Sequence, residues 1–172
     1  MRKAAFLAFQ LLALAVATAA RADTSVSFYA HGWGAKGDFV YFPHAFVVIT
    51  RTGEDGRPGS DESYGFTAVS QTPDLLFHAT RGAVEPADPA YRGLSALRFS
   101  LTVSADEYRA IRDVVWRWGR DGAPLYDLKR HNCVDFIAEI ARAAGLATPA
   151  VPGADPGKFL EAVRRMNAER IR

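Results

Sequence analysis

The chain has 172 residues, with 21 basic and 19 acidic side chains, and its formal net charge at neutral pH is +2. This length is enough for one domain with a substantial hydrophobic core. The acidic and basic residues nearly balance, and the basic residues do not form a cluster or stripe. The composition therefore excludes a typical nucleic-acid-binding protein.

The N-terminal segment, residues 1–22, has the features of a secretory signal peptide. Arg2 and Lys3 precede an apolar stretch that is short for a transmembrane helix, and a small-x-small pattern ends at Ala22; a retained membrane anchor is the alternative. We therefore expect a periplasmic or secreted protein that is cleaved after Ala22 and has no transmembrane segment afterwards. The mature chain, residues 23–172, would form a single domain.

Cys133 is the only cysteine in the sequence. Cysteines of exported proteins usually pair in disulfides, and one cysteine cannot pair within its own chain. An unpaired cysteine in such a protein indicates a reactive thiol or an intermolecular bridge. The alternative is a small core residue, because free cysteine is among the most buried residue types.

The first half of the chain has the patterns of β-structure. Residues 25–30 alternate polar and apolar side chains and predict a short strand, and the glycine-rich segment 31–38 predicts a loop. The β-branched and aromatic run 46–50 predicts a buried strand, with His44 at its N-terminal end. A turn-rich connection and further strands follow: connection 53–61, returning strand 64–69, and weaker strands 75–78 and 96–103.

Helical signals dominate the second half. Ser104 begins a helix with a capping box, and Gly119 is its stop signal. Asn132 is a good N-cap for a second helix that opens with Cys133, and a third helix is expected over residues 155–170. Strands followed by helices predict an α+β domain with an antiparallel sheet.

The position of Cys133 in the first turn of its helix suits a nucleophile. Unpaired backbone N–H groups and the positive end of the helix dipole favour a thiolate there, so we expect the thiol to titrate below the free-cysteine value of about 8.5. The same N–H groups are able to donate hydrogen bonds to an oxyanion. Such a cysteine still needs a base, which is usually a histidine.

The sequence contains four histidines, and His44 is the best placed to act as the base. A rigid strand holds a side chain in position, whereas His131 precedes the helix cap and is expected to point away from the thiol. His31 falls in the glycine-rich segment and His78 on a weaker strand; for each histidine alone, a structural or surface role is the alternative. The histidines lack metal-ligand spacing, so we expect no metal site and no cofactor.

Three segments of the sequence resemble the circularly permuted papain-like hydrolases of the NlpC/P60 superfamily. In that family, a histidine at the start of a strand precedes a cysteine that opens a helix after an Asn-Cys pair. The resemblance covers about residues 28–146 and implies a permuted papain-like α+β domain, in which an antiparallel sheet packs against the helix carrying the cysteine. It also implies that Cys133 is the nucleophile and His44 the base. The segments are residues 44–49, 63–66 and 126–136.

In this family a third polar residue, an Asn, Asp or His that orients the histidine, usually comes from the next strand. This sequence departs from that pattern and offers Ser63, Tyr64, Thr67 and Gln71 there. Pairing around the predicted turn would place Thr67 closest to His44, although a slip of one residue would change the face. We also assign substrate binding to Trp33, in the glycine-rich segment, and to Tyr126, the aromatic residue upstream of Cys133. The alternative for Trp33 is packing against the sheet.

The resemblance and the expected export together imply a cysteine hydrolase that cleaves amide bonds in cell-wall-type peptides. One alternative is acyl transfer or lipid ester cleavage, which occurs in related permuted proteins. Their Asn-Cys-Glu pattern has glutamate where Val134 stands here, which counts against it. The other alternative is a papain-like scaffold that binds a partner without catalysis.

Overall fold

A computed structural model of the protein describes residues 23–36, 39–53, 57–70, 72–120, 125–151, 153 and 155–171. The expected signal peptide lies outside these ranges. Within them, none of the helices combines the length and the apolar character needed to cross a bilayer.

Five strands form an antiparallel sheet in the order β6-β5-β4-β1-β7, and a separate pair of short strands, β2 and β3, forms a second sheet. Along β1, alternation places Val26, Phe28 and Ala30 in the core, on the face that meets the helices, whereas β4 buries five consecutive residues, 45–49. The strands are β1 (Thr24–His31), β2 (Gly34–Lys36), β3 (Phe39–Tyr41), β4 (His44–Thr52), β5 (Pro58–Ala68), β6 (Gly82–Glu85) and β7 (Ala96–Val103).

Three of the helices cover one face of the large sheet and supply the other half of the core. Helix α3 packs on β4 and β5, α4 packs on β1 and β7, and α2 packs beside α3. Capping boxes begin α2 at Ser104 and α3 at Asn132, and Asp155 caps α4. The helices are α1 (Pro89–Leu94), α2 (Ala105–Gly119), α3 (Cys133–Ala143) and α4 (Pro156–Met166).

This architecture confirms the predicted α+β class and the antiparallel sheet packed against the helix that carries the cysteine. The strand over residues 96–103 and the three capped helices are also confirmed. All of these elements carry strong local signals in the sequence.

Several boundaries differ from the sequence-based expectations. The strand predicted over residues 75–78 is wrong: a 3-10 helix, Pro73–Leu76, with proline in its first turn, occupies the first half of this segment, and a turn and a bend follow at residues 77 and 78. The segment 31–38 is only partly a loop, because β1 extends through His31 and β2 follows. Strand β5 begins at Pro58, inside the expected connection, and neither β6 nor α1 was expected.

Candidate functional site

Cys133 is the first residue of α3, and the cap of this helix fixes its position. The side-chain oxygen of Asn132 accepts a hydrogen bond from the Val134 N–H at 2.8 Å. The Asp135 carboxylate accepts one from the Asn132 N–H at 3.0 Å, and the Asn132 amide donates to the Leu128 carbonyl at 3.1 Å. The chain therefore enters the helix in a defined conformation, with Cys133 at its N-terminus.

The Cys133 thiol is buried and surrounded by hydrogen-bond donors. The backbone N–H of Ala45, the hydroxyl of Tyr126 and the N–H of Cys133 itself donate to the sulfur. Because Ala45 belongs to β4, this contact joins the start of α3 to the start of the strand that carries His44. These three donors favour the thiolate.

Burial nevertheless has the larger effect on this thiol. It raises the pKa of Cys133 to about 11, with the nearby Asp135 carboxylate acting in the same direction. The expectation of a thiol pKa below the ordinary value is therefore wrong for this structure. The helix N-terminus supplies donors to the sulfur, but the sheet covering it removes the water that would solvate a charge.

His44 is the first residue of β4, and its imidazole leans towards β5. A Cβ atom added at Gly65 would lie 2.8 Å from Nε2 of His44 and 3.2 Å from Cβ of Phe46, so glycine leaves room for the ring. Burial lowers the pKa of His44 to about 4, and repulsion from His31 lowers it further. The imidazole is therefore neutral at pH 7.

Cys133 and His44 line the same pocket, which has a volume of about 630 Å³. Along β4, Ala45 faces the helices, so alternation places His44 on the other face of the sheet with Phe46. Both residues nevertheless line the same pocket, and His44 is the first residue of β4. Their ordinary state in this structure is a neutral thiol with a neutral imidazole.

Thr67 lies in the pocket, on the strand next to β4. The pairing between β4 and β5 starts with Val47 opposite Tyr64. If the same register is extended towards the start of β4, Thr67 lies opposite His44. Thr67 itself pairs with Ala83 of β6. The structure thus places Thr67 on the expected strand and in the same pocket as His44.

The residue paired directly with His44 is His31, on the opposite neighbouring strand. The two lie opposite each other in the β1–β4 register, and their ring centroids are 6.1 Å apart. His31 is buried, and its Nδ1 lies 3.1 Å from the Gly32 carbonyl oxygen, which fixes one side of the ring. Burial also lowers the pKa of His31.

Of the remaining residues singled out from the sequence, two line the pocket and two lie away from it. Trp33 lines the pocket with 66% of its surface exposed, and its ring lies 4.8 Å from that of Phe42. Tyr126 also lines the pocket, and its hydroxyl contacts the thiol. His131 instead stacks on Trp118 at 4.2 Å, and His78 is exposed. Neither of these two histidines lines the pocket formed by the described residues.

Two neighbours of the candidate site residues, His31 beside His44 and the Ala45 N–H beside Cys133, were not anticipated from the sequence. The glycine-rich pattern of residues 31–38 predicts a loop at His31. The polar–apolar alternation of residues 25–30 continues through His31, however, and favours a strand there. The Ala45 N–H is a backbone group whose contact with Cys133 depends on how α3 docks on β4, so no sequence pattern indicates it.

The described residues contain no group of three or more histidine, cysteine, aspartate and glutamate side chains placed to hold a metal ion. The candidate site is thus a cysteine and a histidine in one pocket of an α+β domain. Its chemistry depends on the sulfur, the imidazole and the backbone N–H groups at the start of α3.

No protein-family model matches the chain, and no curated protein matches its sequence. Among solved structures, the fold is similar to the crystal structure of the type VI secretion system effector TseH. The TM-score is 0.52 at 14% sequence identity, over 83% of this chain and 88% of that chain. At this identity, the likeness shows a shared fold.

Proposed function

We propose that this protein is a cysteine hydrolase that cleaves amide bonds, with Cys133 as the nucleophile and His44 as the base. The observation that carries the proposal is the placement of the Cys133 sulfur at the N-terminus of α3, in one pocket with His44 and in contact with the Ala45 N–H. A nucleophile, a base and backbone donors are the parts that acyl transfer from an amide requires.

The neutral pair favours proton transfer during attack over a preformed ion pair. His44 accepts the thiol proton as the sulfur of Cys133 bonds to the substrate carbonyl carbon, and the carbonyl oxygen becomes an oxyanion. The backbone N–H of Cys133, which lies beside the sulfur, stabilises this oxyanion, whereas the Val134 N–H remains bonded to the Asn132 cap. The carbon–nitrogen bond then breaks, the imidazolium protonates the leaving amine, and water hydrolyses the thioester to release the acid and the free thiol.

The finer assignment is an exported member of the permuted papain-like hydrolases that acts on cell-wall-type peptides. The motifs around His44 and Cys133 support it, as does the fold shared with a secretion-system effector. In this assignment Tyr126 holds the sulfur in position, Trp33 forms one wall of the substrate groove, and Thr67 is a candidate for orienting His44.

The test compares peptidoglycan fragments with phospholipid vesicles as substrates for the purified protein. We expect peptide-bond cleavage that is abolished in Cys133→Ala and His44→Gln and persists in His131→Gln, the matched control. Cysteine-dependent release of fatty acid with intact peptides would contradict amide hydrolysis and support lipid ester cleavage. A folded protein that turns over neither substrate would support a non-catalytic binding scaffold.

A further inference from the structure

The pocket beside Cys133 has a wall of exposed apolar side chains. Trp33, Val69 and Leu76 all line it, and their exposed fractions are 66%, 54% and 47%. Phe42 and the buried Leu75 extend this wall. Apolar side chains that are grouped around a cavity, instead of scattered over a surface, mark a binding site for an apolar group.

The charges around the pocket are of one sign. Glu85, Asp88 and Asp155 line it, and no lysine or arginine among the described residues does so. Asp88 and Asp155 also cap α1 and α4 through backbone N–H groups. A negatively charged ligand in the pocket would meet three lining carboxylates and no lining lysine or arginine, so electrostatic repulsion disfavours its binding.

We propose that this pocket receives an uncharged, apolar chain next to the scissile bond and rejects a chain that carries a carboxylate. The inference rests on the proposed function for the scissile bond, whereas the preference for the chain depends only on the wall and the carboxylates. Apolar amino-acid side chains and fatty acyl chains share this chemistry. The volume of about 630 Å³ accommodates either.

Binding is measured first, without catalysis, on the Cys133→Ala variant of the full chain. Three amides serve as probes: acetamide, octanamide, and suberamic acid, which has the same eight carbons as octanamide but ends in a carboxylate in place of the methyl group. We expect the Kd of octanamide to be at least about tenfold below that of acetamide, since each buried methylene adds about 0.8 kcal/mol. Suberamic acid should bind at least about tenfold more weakly than octanamide.

Matched variants locate the effect in the pocket. Trp33→Ala should weaken octanamide binding, whereas Trp116→Ala should leave it unchanged, because Trp116 is similarly exposed at 62% but does not line the pocket. Glu85→Gln should improve the binding of suberamic acid relative to octanamide. Equal affinity for acetamide and octanamide, preference for suberamic acid, or equal effects of the two tryptophan variants would overturn the proposal.

Turnover by the unmodified protein then separates the two sources of such a chain. An octanoyl ester represents a lipid, and an amide-linked leucyl peptide represents an apolar peptide; each is compared with its carboxylated analogue. Faster turnover of the uncharged member in either pair supports the proposal. Selective binding of octanamide without turnover of any substrate would support the pocket's preference and contradict the proposed hydrolase, so the two failures are distinguishable.

Discussion

His31 and His44 lie opposite each other in the β1–β4 pairing, with 6.1 Å between their ring centroids and 51° between the ring planes. The strand on the other side of His44 carries Thr67, which pairs with Ala83. Because the electrostatic effect of His31 reaches the imidazole of His44, we predict that His31 contributes more than Thr67 to positioning this ring.

The His31→Asn substitution should lower the kcat for peptide hydrolysis about tenfold, because a misplaced base loses part of its contribution to catalysis. It should also raise the pKa of His44, because repulsion from His31 now lowers it. The acid limb of the pH–rate profile would then move to higher pH, and NMR titration of His44 checks this without a substrate. Thr67→Val is the control, and a larger loss there would contradict the assignment.

The Gly65→Ala substitution tests how closely β5 approaches His44. The new Cβ would lie 2.8 Å from Nε2, which requires the imidazole to move. We expect a loss of hydrolytic activity of about tenfold or more, with a decrease of about 1–3 kcal/mol in the free energy of unfolding. Gly93→Ala is the matched control, since nothing lies within 4 Å of its added Cβ. Unchanged kinetics for Gly65→Ala would show that the imidazole position is not critical.

The raised pKa of Cys133 predicts slow alkylation at neutral pH. The iodoacetamide rate should increase with pH up to a midpoint near 11, because the thiolate is the reactive species. Tyr126→Phe removes a donor to the sulfur and should slow alkylation further at any given pH. Tyr108→Phe is the control, because the Tyr108 hydroxyl donates to Glu62. A midpoint below 8.5 would restore the expectation based on the helix N-terminus.

The lowered pKa of His44 predicts a loss of stability in acid. A histidine whose folded pKa lies near 4, against 6.5 when unfolded, contributes its full stability above pH 6.5 and loses it as pH falls towards 4. Urea unfolding between pH 7 and pH 4 should therefore show a decrease of about 2–3 kcal/mol that is missing in His44→Gln. His78→Gln, at an exposed histidine, should keep the wild-type profile. If the unfolding free energies of the wild type and His44→Gln changed with pH in parallel, the loss of stability in acid would not come from His44.

Local signals account for what the sequence predicted well. Ser104 and Asn132 each begin a capping box, and both helices start where these residues predict. By contrast, β6 is short and only partly buried, so it carries little pattern of its own and depends on pairing with β5. The apolar residues Leu75 and Leu76 resembled a strand, but Pro73 favours a helical turn.

In the candidate site too, the sequence predicts the features that depend on local signals and misses those that depend on tertiary packing. The sequence places Cys133 at a helix start and His44 at a strand start, because both positions depend on local caps and β-branched runs. It does not give the protonation of either group, since burial under another element determines it. It also does not give the neighbour of His44, because strand order is a property of the whole sheet.

The burial of Cys133 has a consequence for the chemical lifetime of the protein. Oxidants and disulfides react with the thiolate, and their access to sulfur depends on exposure. Cys133 is 3% exposed and its thiol is protonated at neutral pH, so the residue resists both routes to inactivation. In an oxidising compartment, Cys133 would therefore stay reduced and form no intermolecular disulfide, even without a dedicated reductase. The thiol would be preserved until a ligand enters the pocket.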